Sequence, residues 1–535
     1  MPVLQTTYLG LVRGRSDGRV DEYLGIPYAT LSNRLAGAVL VSRSQGAVLD
    51  ATTYGPTTIS PLQGCDLEFS IMQHSLPKGA LPQSDTECLN LNITVPAGVD
   101  RSAKLPVLVF IHGGGFNIGA NSWPQFNMAR FVNLSAELGL PIVAVTINYR
   151  LGPFGFLTSE ELRAAGYKAN NGLRDQQVAL EWIQRHIIDF GGDPGNVTLS
   201  GMSAGGVTSV MYQLSSARAL FKRAIVMSGN YFLLPPLPLA QHEENYSRAI
   251  AALGLASAST EERIHALLET PGQEIISRLP QSVIAAPAVD GELITDFPTF
   301  AELADPTVDV PLGKKWCKTL IIGDAQMDAN IVRVLMPGAQ KGCARRFISI
   351  LKSTLCSRPK VAQDILDRYG ISIHISDDQA FAAILDYIND IAFFAPTLAA
   401  AQGWRGNARV YYFNQGNPWE GPSKGRAGHL LDIVHLFQNF REFLTPEQQA
   451  LGVRFAGDFL RFCHADSPWP AVDPPNVDGG FVAQVYGLRE SSGTIVNRVY
   501  SPFNGNADRR SILFDCADDV SLDKLINVFY QFRGF

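Results

Sequence analysis

A serine flanked by glycines is the first feature of the sequence that could carry chemistry. Ser203 lies in GMSAG, residues 201–205, directly after the apolar run NVTLS and before an apolar stretch with helical spacing. A strand, a tight turn and a helix in this order expose a serine hydroxyl above a sheet edge, where it can act as a nucleophile. A glycine- and serine-rich turn without chemistry is the alternative. The predicted strand and helix around the motif favour the nucleophile.

A second glycine-rich turn could supply hydrogen-bond donors to a negatively charged oxygen. The sequence HGGGF, residues 112–116, ends another buried apolar run. Glycines let the backbone approach a ligand and point N–H groups at it, as the tetrahedral intermediate of acyl transfer requires. Taken alone, a flexible turn would be the better interpretation. Beside a serine nucleophile, we predict that the N–H groups of Gly114, Gly115 and Ala204 form an oxyanion hole.

A serine hydroxyl needs a general base near neutral pH, and the base needs an acid that orients it. Of the nine histidines, His429 lies in a loop that follows the predicted strand 408–414. His435 is the rival base and ranks lower, because a helix or loop there would lead away from the site. Asp324 and Asp328 both follow the predicted strand 318–323, and spacing alone leaves the choice of acid open.

Alternating strands and helices must position these residues. Apolar, β-branched runs predict buried strands over residues 105–112, 141–149, 196–200, 223–228, 318–323 and 408–414. Such continuous runs are typical of a parallel sheet covered on both faces. Residues 172–189 place their apolar positions on one broad helical stripe. The alternation predicts a single α/β domain over residues 1–535, with mainly helical cap or flanking regions over 240–310 and 335–405.

Composition excludes several other classes of protein. The chain has 535 residues, of which 46% are hydrophobic and 18% charged, as in a globular protein with a large core. With a net charge of −6 and no cluster of Lys and Arg, nucleic-acid binding is not expected. No apolar run approaches the roughly 20 residues of a spanning helix, so no stable membrane anchor is expected. The seven cysteines lack metal-ligand spacing, and no metal is expected.

Together these motifs resemble the type-B carboxylesterase/lipase family of α/β-hydrolases, which includes cholinesterases and fungal lipases. The resemblance runs from about Gly10 to about Pro470 and is densest over residues 171–206, which match the family signature almost throughout. It implies the α/β-hydrolase fold, with a large, mostly parallel central sheet and helical cap insertions. It also implies a serine esterase that acts on small-molecule esters and needs no cofactor.

The resemblance resolves the choices that spacing left open. The family's acid lies five residues after the glycine that ends the strand; counting from Gly323, this is Asp328, where the family usually has Glu. The sequence that begins at His429 matches the family pattern H-x-x-[DE]-[IL]-x-x-x-F, which favours this histidine over His435. The implied triad is Ser203, Asp328 and His429.

Further residues are expected around this triad. Ser228 matches a family serine that helps to hold the acid, and Asp432 belongs to the histidine motif. Met202 stands where the family usually has Glu. Because this removes a negative charge beside Ser203 and His429, choline-like cations are expected to be poor substrates. A neutral small-molecule ester is the expected substrate.

A lid is expected by the same resemblance, and pocket-lining residues are predicted from the local sequence. Cys65 and Cys88 match the family's disulfide around a surface lid loop, and residues 65–88 are expected to form this loop, with an oxidation state that the sequence leaves open. Phe116 is predicted to line the pocket from its place in the glycine motif, and Trp419 from composition. Ordinary packing is the alternative for both side chains.

The expected reaction is two-step acyl transfer through a covalent acyl-enzyme on Ser203. A biosynthetic acyltransferase or cyclase would use the same serine, with an alcohol in place of water. A lipase would need an apolar lid, whereas residues 65–88 are mixed in polarity. A catalytically silent binding module typically loses a triad residue. Without a basic and apolar leader at the N-terminus, a cytoplasmic monomer or homodimer is expected, or a secreted protein if the N-terminus was trimmed.

Overall fold

One large sheet forms the centre of the molecule. The structure is a computed structural model that describes residues 1–41, 48–404, 407–472, 481–487, 496–500 and 509–534. Within these ranges eleven strands join in the sheet, in the order β11-β10-β9-β8-β7-β6-β4-β5-β3-β2-β1. In chain order the strands are β1 (Arg15–Ser16), β2 (Val20–Pro27), β3 (Asn90–Pro96), β4 (Leu105–Ile111), β5 (Val143–Ile147), β6 (Gly192–Met202), β7 (Arg223–Met227), β8 (Thr319–Ala325), β9 (Ala408–Phe413), β10 (Phe481–Tyr486) and β11 (Val496–Tyr500).

The middle of the sheet is parallel, and both of its edges are antiparallel. β4 pairs in parallel with β5 and β6, and parallel pairing continues from β6 through β7, β8 and β9 to β10. β3 is antiparallel to β2 and β5, and β11 is antiparallel to β10. Every residue of β5, β7 and β9 is buried, which explains why continuous apolar runs predicted these strands.

Helices supply the layers that bury the sheet. α5 was predicted over residues 172–189 and runs from Asn171 to His186, with Leu173, Trp182 and Ile183 fully buried on its apolar face. The helices are α1 (Gly64–Met72), α2 (Ala129–Glu137), α3 (Gly152–Phe156), α4 (Glu160–Ala164), α5 (Asn171–His186), α6 (Ser203–Ser215), α7 (Leu239–Ala252), α8 (Thr260–Glu269), α9 (Gly272–Arg278), α10 (Phe300–Ala304), α11 (Gly313–Trp316), α12 (Val332–Leu335), α13 (Cys343–Thr354), α14 (Pro359–Tyr369), α15 (Asp377–Asn389), α16 (Ala395–Gly403), α17 (Leu431–Leu436), α18 (Pro446–Cys463), α19 (Ser511–Asp515) and α20 (Leu522–Arg533).

The regions predicted to be mainly helical contain several helices. Residues 240–310 contain most of α7 and all of α8, α9 and α10, and residues 335–405 contain α13 to α16. α15 and α16 join through a π-helical turn into one stretch of 27 residues, Asp377–Gly403. By length and composition this stretch could cross a membrane, but 83% of its most apolar window is buried inside the fold. It therefore has the character of a core helix.

Candidate active site

Ser203 occupies a strained turn between β6 and α6. β6 ends at Met202, and α6 begins at Ser203, whose φ of 63° lies in the left-handed region. For a residue with a Cβ this conformation costs about 1–3 kcal/mol, and it persists only where the surrounding structure enforces it. The turn packs directly against Gly113, where a Cβ would lie only 2.7 Å from the carbonyl oxygen of Met202. The strand, turn and helix predicted around the serine are all present.

Three side chains from distant parts of the sequence form one hydrogen-bonded row. His429 Nε2 lies 2.6 Å from Ser203 Oγ, and His429 Nδ1 lies 2.7 Å from Asp328 Oδ1. A carboxylate only accepts, so Nδ1–H donates to Asp328, and Nε2 is left to accept the hydrogen bond of the serine hydroxyl. The exposed fractions of the three residues are 7%, 1% and 0% for serine, histidine and aspartate. This is the geometry of a nucleophile, its base and an orienting acid.

The structure separates the two candidate acids. The second oxygen of Asp328, Oδ2, accepts a hydrogen bond from Ala325 N at 2.7 Å, which fixes the carboxylate towards His429. Asp324 lies within β8 and is buried, and its Oδ2 has no hydrogen-bond partner in the described part of the chain. Burial, with the charge of Asp328, raises the pKa of Asp324 well above its usual range. Its surroundings therefore favour the uncharged form of the Asp324 carboxyl group.

Asn330, which the sequence analysis did not single out, ties the acid loop to the histidine loop. Its Oδ1 accepts a hydrogen bond from His429 N at 2.9 Å, and its Nδ2 donates to Ser423 Oγ at 3.0 Å. The backbones also pair, since Met327 N donates to Ala427 O at 2.9 Å. No local pattern distinguishes this asparagine from an ordinary loop residue. Its role becomes visible only when the two loops are placed side by side.

His435, the rival base, is a core residue. It lies in α17 with no exposed surface and packs on Phe413, with 5.1 Å between the ring centroids. Burial lowers the pKa of His435 to about 4. The ring is therefore uncharged at neutral pH, and the order of the two histidines given by the resemblance agrees with the geometry.

The glycine loop presents backbone donors beside the nucleophile. A Cβ on Gly113 would lie 2.8 Å from Ser203 Cβ, so the loop touches the serine turn. Gly114 and Gly115 have φ of 104° and 61°, and among the described residues no acceptor is found for either N–H. Ala204 N–H belongs to the first turn of α6, where N–H groups have no partner within the helix. The oxyanion hole formed by these three donors stays a prediction, and the contact of Gly113 with the serine turn supports it.

His112 holds the glycine loop in shape. Its Nδ1 lies 2.9 Å from Gly113 O, and its ring stacks on Tyr149 with 4.7 Å between centroids. The Tyr149 hydroxyl donates to His112 O at 3.2 Å. Burial lowers the pKa of His112 to about 4, so the neutral ring donates from Nδ1 to the carbonyl. Gly119 is required beside it, because a Cβ there would lie 2.1 Å from that nitrogen.

Ser228 does not act as the resemblance implied. It is fully buried with φ of 50°, but among the described residues its Oγ has no hydrogen-bond partner. The expectation that this side chain helps to hold Asp328 therefore fails as a hydrogen bond. The backbone contributes instead, because Ser228 N donates to Gly323 O at 2.8 Å and ties the ends of β7 and β8 together.

Asp432 and Met202 lie close to the triad, as expected. Asp432 is fully buried, and its Oδ2 accepts a hydrogen bond from the Tyr411 hydroxyl at 3.0 Å. Burial, together with the charge of Asp328, raises the pKa of Asp432 to about 6. Met202 is fully buried at the end of β6 and adds no charge to the serine turn.

A cavity of 1140 Å³ opens beside the glycine loop. Gly115 and Asn117 line it from the loop, and Gly64 and Leu67 line it from α1. Most of its other lining residues are apolar. A cavity of this size and character can enclose a drug-sized ester next to the predicted oxyanion hole.

The two predicted pocket-lining aromatics both pack on other aromatic rings. Phe116 is fully buried and packs on Phe156, with 4.5 Å between ring centroids. Trp419 stacks on His74, with 4.5 Å between centroids, and also packs on Phe440. Neither residue lines the cavity that reaches Gly115. Phe116 has no exposed surface, so the prediction that it lines a pocket is wrong. Trp419 is half-buried, and its place in a substrate pocket stays a prediction.

The predicted lid, residues 65–88, begins with α1. His74 in this segment stacks on the ring of Trp419. Cys65 and Cys88 are both buried and both free. Burial raises the pKa of each thiol to about 12. The lid is therefore held by packing and hydrogen bonds, and not by a disulfide.

The lid also brings a buried carboxyl group to the site. Glu68, in α1, is 2% exposed and accepts a hydrogen bond from Gln125 Nε2 at 2.8 Å. Burial raises the pKa of Glu68 to about 7, although the bond from Gln125 and the charge of His429 act in the opposite direction. Glu68 therefore changes its charge near neutral pH within the electrostatic range of the histidine.

Glu68→Gln is expected to reduce the fall in the free energy of unfolding that occurs as the pH rises. Between about pH 4.5 and 7 the folded protein holds a proton that the unfolded chain has lost, so the free energy of unfolding falls as pH rises. Glutamine keeps an acceptor for Gln125 and removes this loss, which is on the order of 3 kcal/mol. Urea unfolding of both proteins at about pH 5 and about pH 8 measures the difference.

The exposed Glu87, at the other end of the lid, provides the control for this prediction. Glu87→Gln is expected to leave the pH dependence of the free energy of unfolding unchanged. The prediction is wrong if Glu68→Gln alters stability equally at both pH values, because a titrating carboxyl group must act differently on the two sides of its pKa.

Comparisons with known proteins show the family to which the chain belongs. The sequence model of the carboxylesterase family matches residues 1–475. The chain belongs to the carboxylesterase family. Lipase 3 of Yarrowia lipolytica (strain CLIB 122 / E 150) is 29% identical over 477 residues, covering 85% of this chain and 86% of that protein. Para-nitrobenzyl esterase of Bacillus subtilis (strain 168) is 27% identical over 492 residues, covering 87% and 92%.

Solved structures agree with the family assignment. A structure of a PNB esterase superimposes with a TM-score of 0.70 at 25% sequence identity, covering 95% of this chain and 99% of that one. The predicted α/β-hydrolase fold and the predicted enzyme class are confirmed: this carboxylesterase is a carboxylic-ester hydrolase. Within the described residues, no group of three or more His, Cys, Asp or Glu side chains could hold a metal ion.

Proposed function

We propose that this carboxylesterase cleaves esters in two acyl-transfer steps, with Ser203 as nucleophile, His429 as general base and Asp328 as the orienting acid. The observation that carries the proposal is the 2.6 Å contact between His429 Nε2 and Ser203 Oγ, in a row that continues to the buried carboxylate. Because the base touches the hydroxyl, proton transfer needs no prior rearrangement of the site.

In the first step, Ser203 Oγ attacks the carbonyl carbon of the ester while His429 Nε2 takes the hydroxyl proton. The carbonyl oxygen becomes an oxyanion, which the N–H groups of Gly114, Gly115 and Ala204 stabilise. The histidine carries a positive charge at this point, and the Asp328 carboxylate, 2.7 Å from Nδ1, stabilises that charge.

The first tetrahedral intermediate then collapses: His429 Nε2 gives its proton to the oxygen of the leaving alcohol as the carbon–oxygen bond breaks. The acyl group is now covalently bound to Ser203 Oγ. The same histidine then takes a proton from water, whose oxygen attacks the acyl carbon. Collapse of this second intermediate returns the proton to Ser203 and releases the carboxylic acid.

The proposed substrate is a small-molecule ester that is neutral around the bond that breaks. Met202, fully buried at the end of β6, adds no carboxylate to the serine turn. A cationic alcohol group would therefore gain no direct ion pair from this position. The cavity beside Gly115 supplies mainly apolar contacts.

Hydrolysis of short and medium 4-nitrophenyl esters, combined with a fluorophosphonate probe, tests the proposal. Turnover is expected to fall in proportion to the fraction of the protein that the fluorophosphonate has labelled. Peptide mapping is expected to place the adduct on Ser203. Ser200 is an internal control, because its Oγ donates to Val109 O at 3.0 Å and no base contacts it. Neither turnover nor an adduct on well-folded protein, or an adduct only elsewhere, would contradict the proposal.

A further inference from the structure

The cavity beside the glycine loop carries only positive charge. Of the described residues that line it, three are arginines, Arg248, Arg346 and Arg533, and none is an aspartate or a glutamate. The whole chain has the opposite balance, with 50 acidic against 44 basic residues. A negatively charged ligand that enters this cavity therefore meets positively charged side chains, whereas the chain as a whole is negatively charged.

Arg346 is the arginine best placed to bind an anion. It is exposed, and its guanidinium lies 4.2 Å from the centroid of the Phe532 ring. Its Nη2 donates to Ala339 O at 3.4 Å. Both contacts are to uncharged groups, so they orient the guanidinium without neutralising it. An aromatic face and one carbonyl leave most of the five donors of an arginine open to a ligand.

The other two arginines also line the cavity. Arg248 Nη1 donates to Ser282 O at 3.4 Å, and its Nη2 pairs with Glu244 at 3.0 Å in an exposed ion pair, which water weakens. Arg533 Nη1 donates to Leu233 O at 3.3 Å. Burial lowers the pKa of Arg533 to about 10, so this side chain is still charged at neutral pH.

Of the proposed site residues only Gly115 lines the cavity, and it differs in exposure from two of the arginines. Gly115, whose N–H is a candidate oxyanion donor, is half-buried, whereas Arg248 and Arg346 are exposed. Apolar side chains, among them Leu157 and Ile276, line the same cavity. An ester with its carbonyl oxygen at the glycine loop would thus extend across apolar surface towards the guanidinium groups.

We propose that the substrate is an ester whose apolar body carries an anionic group away from the bond that breaks, and that Arg346, with Arg248, recognises this group. The inference rests on the proposed function, because it takes Gly115 as the place of the ester carbonyl. It refines the expectation of a neutral substrate: the ester end is uncharged and the far end is negative. The apolar lining binds the hydrocarbon part, and the guanidinium groups bind the anion through charge-assisted hydrogen bonds.

A matched pair of probes isolates the distal charge. 4-Nitrophenyl hydrogen suberate and 4-nitrophenyl methyl suberate share the leaving group and the chain, and differ only in a terminal carboxylate against a methyl ester. The kcat/KM of the anionic probe divided by that of the neutral probe is the readout. In the double variant Arg248→Gln/Arg346→Gln this ratio is expected to fall about tenfold from its wild-type value. Raising the salt to about 0.5 M is expected to lower the wild-type ratio as well.

Arg345→Gln is the matched control, since Arg345 is an exposed neighbour on α13 that does not line the cavity. Its ratio is expected to equal that of the wild type. A double variant with an unchanged ratio overturns the inference, and so does an equal fall in the Arg345→Gln protein. Turnover of the neutral probe reports separately on the proposed function, so the two failures are distinguishable.

A binding measurement tests the proposed recognition of the anionic group even if neither probe is turned over. Calorimetric titration of the Ser203→Ala protein with monomethyl suberate and dimethyl suberate compares the same two charges without chemistry. The monoester is expected to bind about tenfold more tightly than the diester, and to lose this advantage when Arg248 and Arg346 are also replaced by glutamine. Equal binding of the two ligands to the Ser203→Ala protein overturns the inference.

Discussion

Asp328→Asn is expected to lower kcat for 4-nitrophenyl esters about 10⁴-fold. Asp328 Oδ2 accepts from Ala325 N–H at 2.7 Å, so an asparagine would turn its carbonyl oxygen to that donor and its amide NH₂ to His429 Nδ1. Nδ1 would then have to accept, and the proton would move to Nε2. An Nε2 that carries a proton cannot take one from Ser203. Steady-state kinetics at about pH 8, with thermal melting as a check of the fold, measure the effect.

Asp324→Asn is the control that the chain itself offers. The carboxyl group of Asp324 is buried, and burial raises its pKa well above its usual range, which favours the uncharged form; asparagine has a similar shape and is also uncharged. We expect kcat to change less than about fivefold. Loss of activity on Asp324→Asn, with near wild-type activity in Asp328→Asn, would show that the acid is wrongly assigned.

The two aspartates also show where sequence analysis reaches its limit. Both follow an apolar run, and spacing did not distinguish them. In the structure β8 continues to Ala325, which places Asp324 inside the strand and leaves Asp328 in the turn that follows. The difference depends on where the strand ends, and strand ends depend on pairing with β7 and β9 more than on local composition. The family resemblance supplied the information that local patterns lacked.

The strands, too, divide into those that the local sequence predicts and those that depend on tertiary pairing. The central strands were predicted because both of their faces are buried, which forces continuous apolar runs such as residues 105–111. β10 and β11 were missed: FVAQVY and VNRVY are short and include polar residues, and their pairing comes from tertiary contacts at the sheet edge. β6 begins earlier than expected, at Gly192, because its first residues, GDPGN, have the composition of a turn.

Residues that act through another segment leave no local signal. Asn330 matters because it bonds the backbone of His429, 99 residues further along the chain. Glu68 matters because α1 buries it against Gln125, 57 residues away. Ser203 and the glycine loop were recognisable because their function depends on backbone conformation, which glycine spacing records directly. Contacts between segments are recorded only in the folded structure.

Gly114→Ala is expected to lower kcat about 10²–10³-fold, because the oxyanion donors depend on the conformation of this backbone. Gly114 has φ of 104°, and a Cβ there would lie 2.0 Å from Ile118 O. Gly114 O also accepts from both Asn117 N and Ile118 N at 3.0 Å, so this glycine closes the turn. An alanine must open the turn and so move the N–H groups away from the oxyanion. The loss is expected in kcat more than in KM, because the donors act on the transition state.

Gly115→Ala separates displacement of the donors from simple backbone strain. Gly115 has φ of 61°, similarly left-handed, but a Cβ there meets no atom within 4 Å. The variant therefore bears only the strain of a left-handed alanine, about 1–2 kcal/mol, and can keep its N–H in place. We expect its kcat to fall less than about tenfold, with a larger change in KM because the methyl group enters the cavity. Equal losses of kcat in the two alanine variants would mean that strain in the loop, and not the position of the Gly114 donor, limits the reaction.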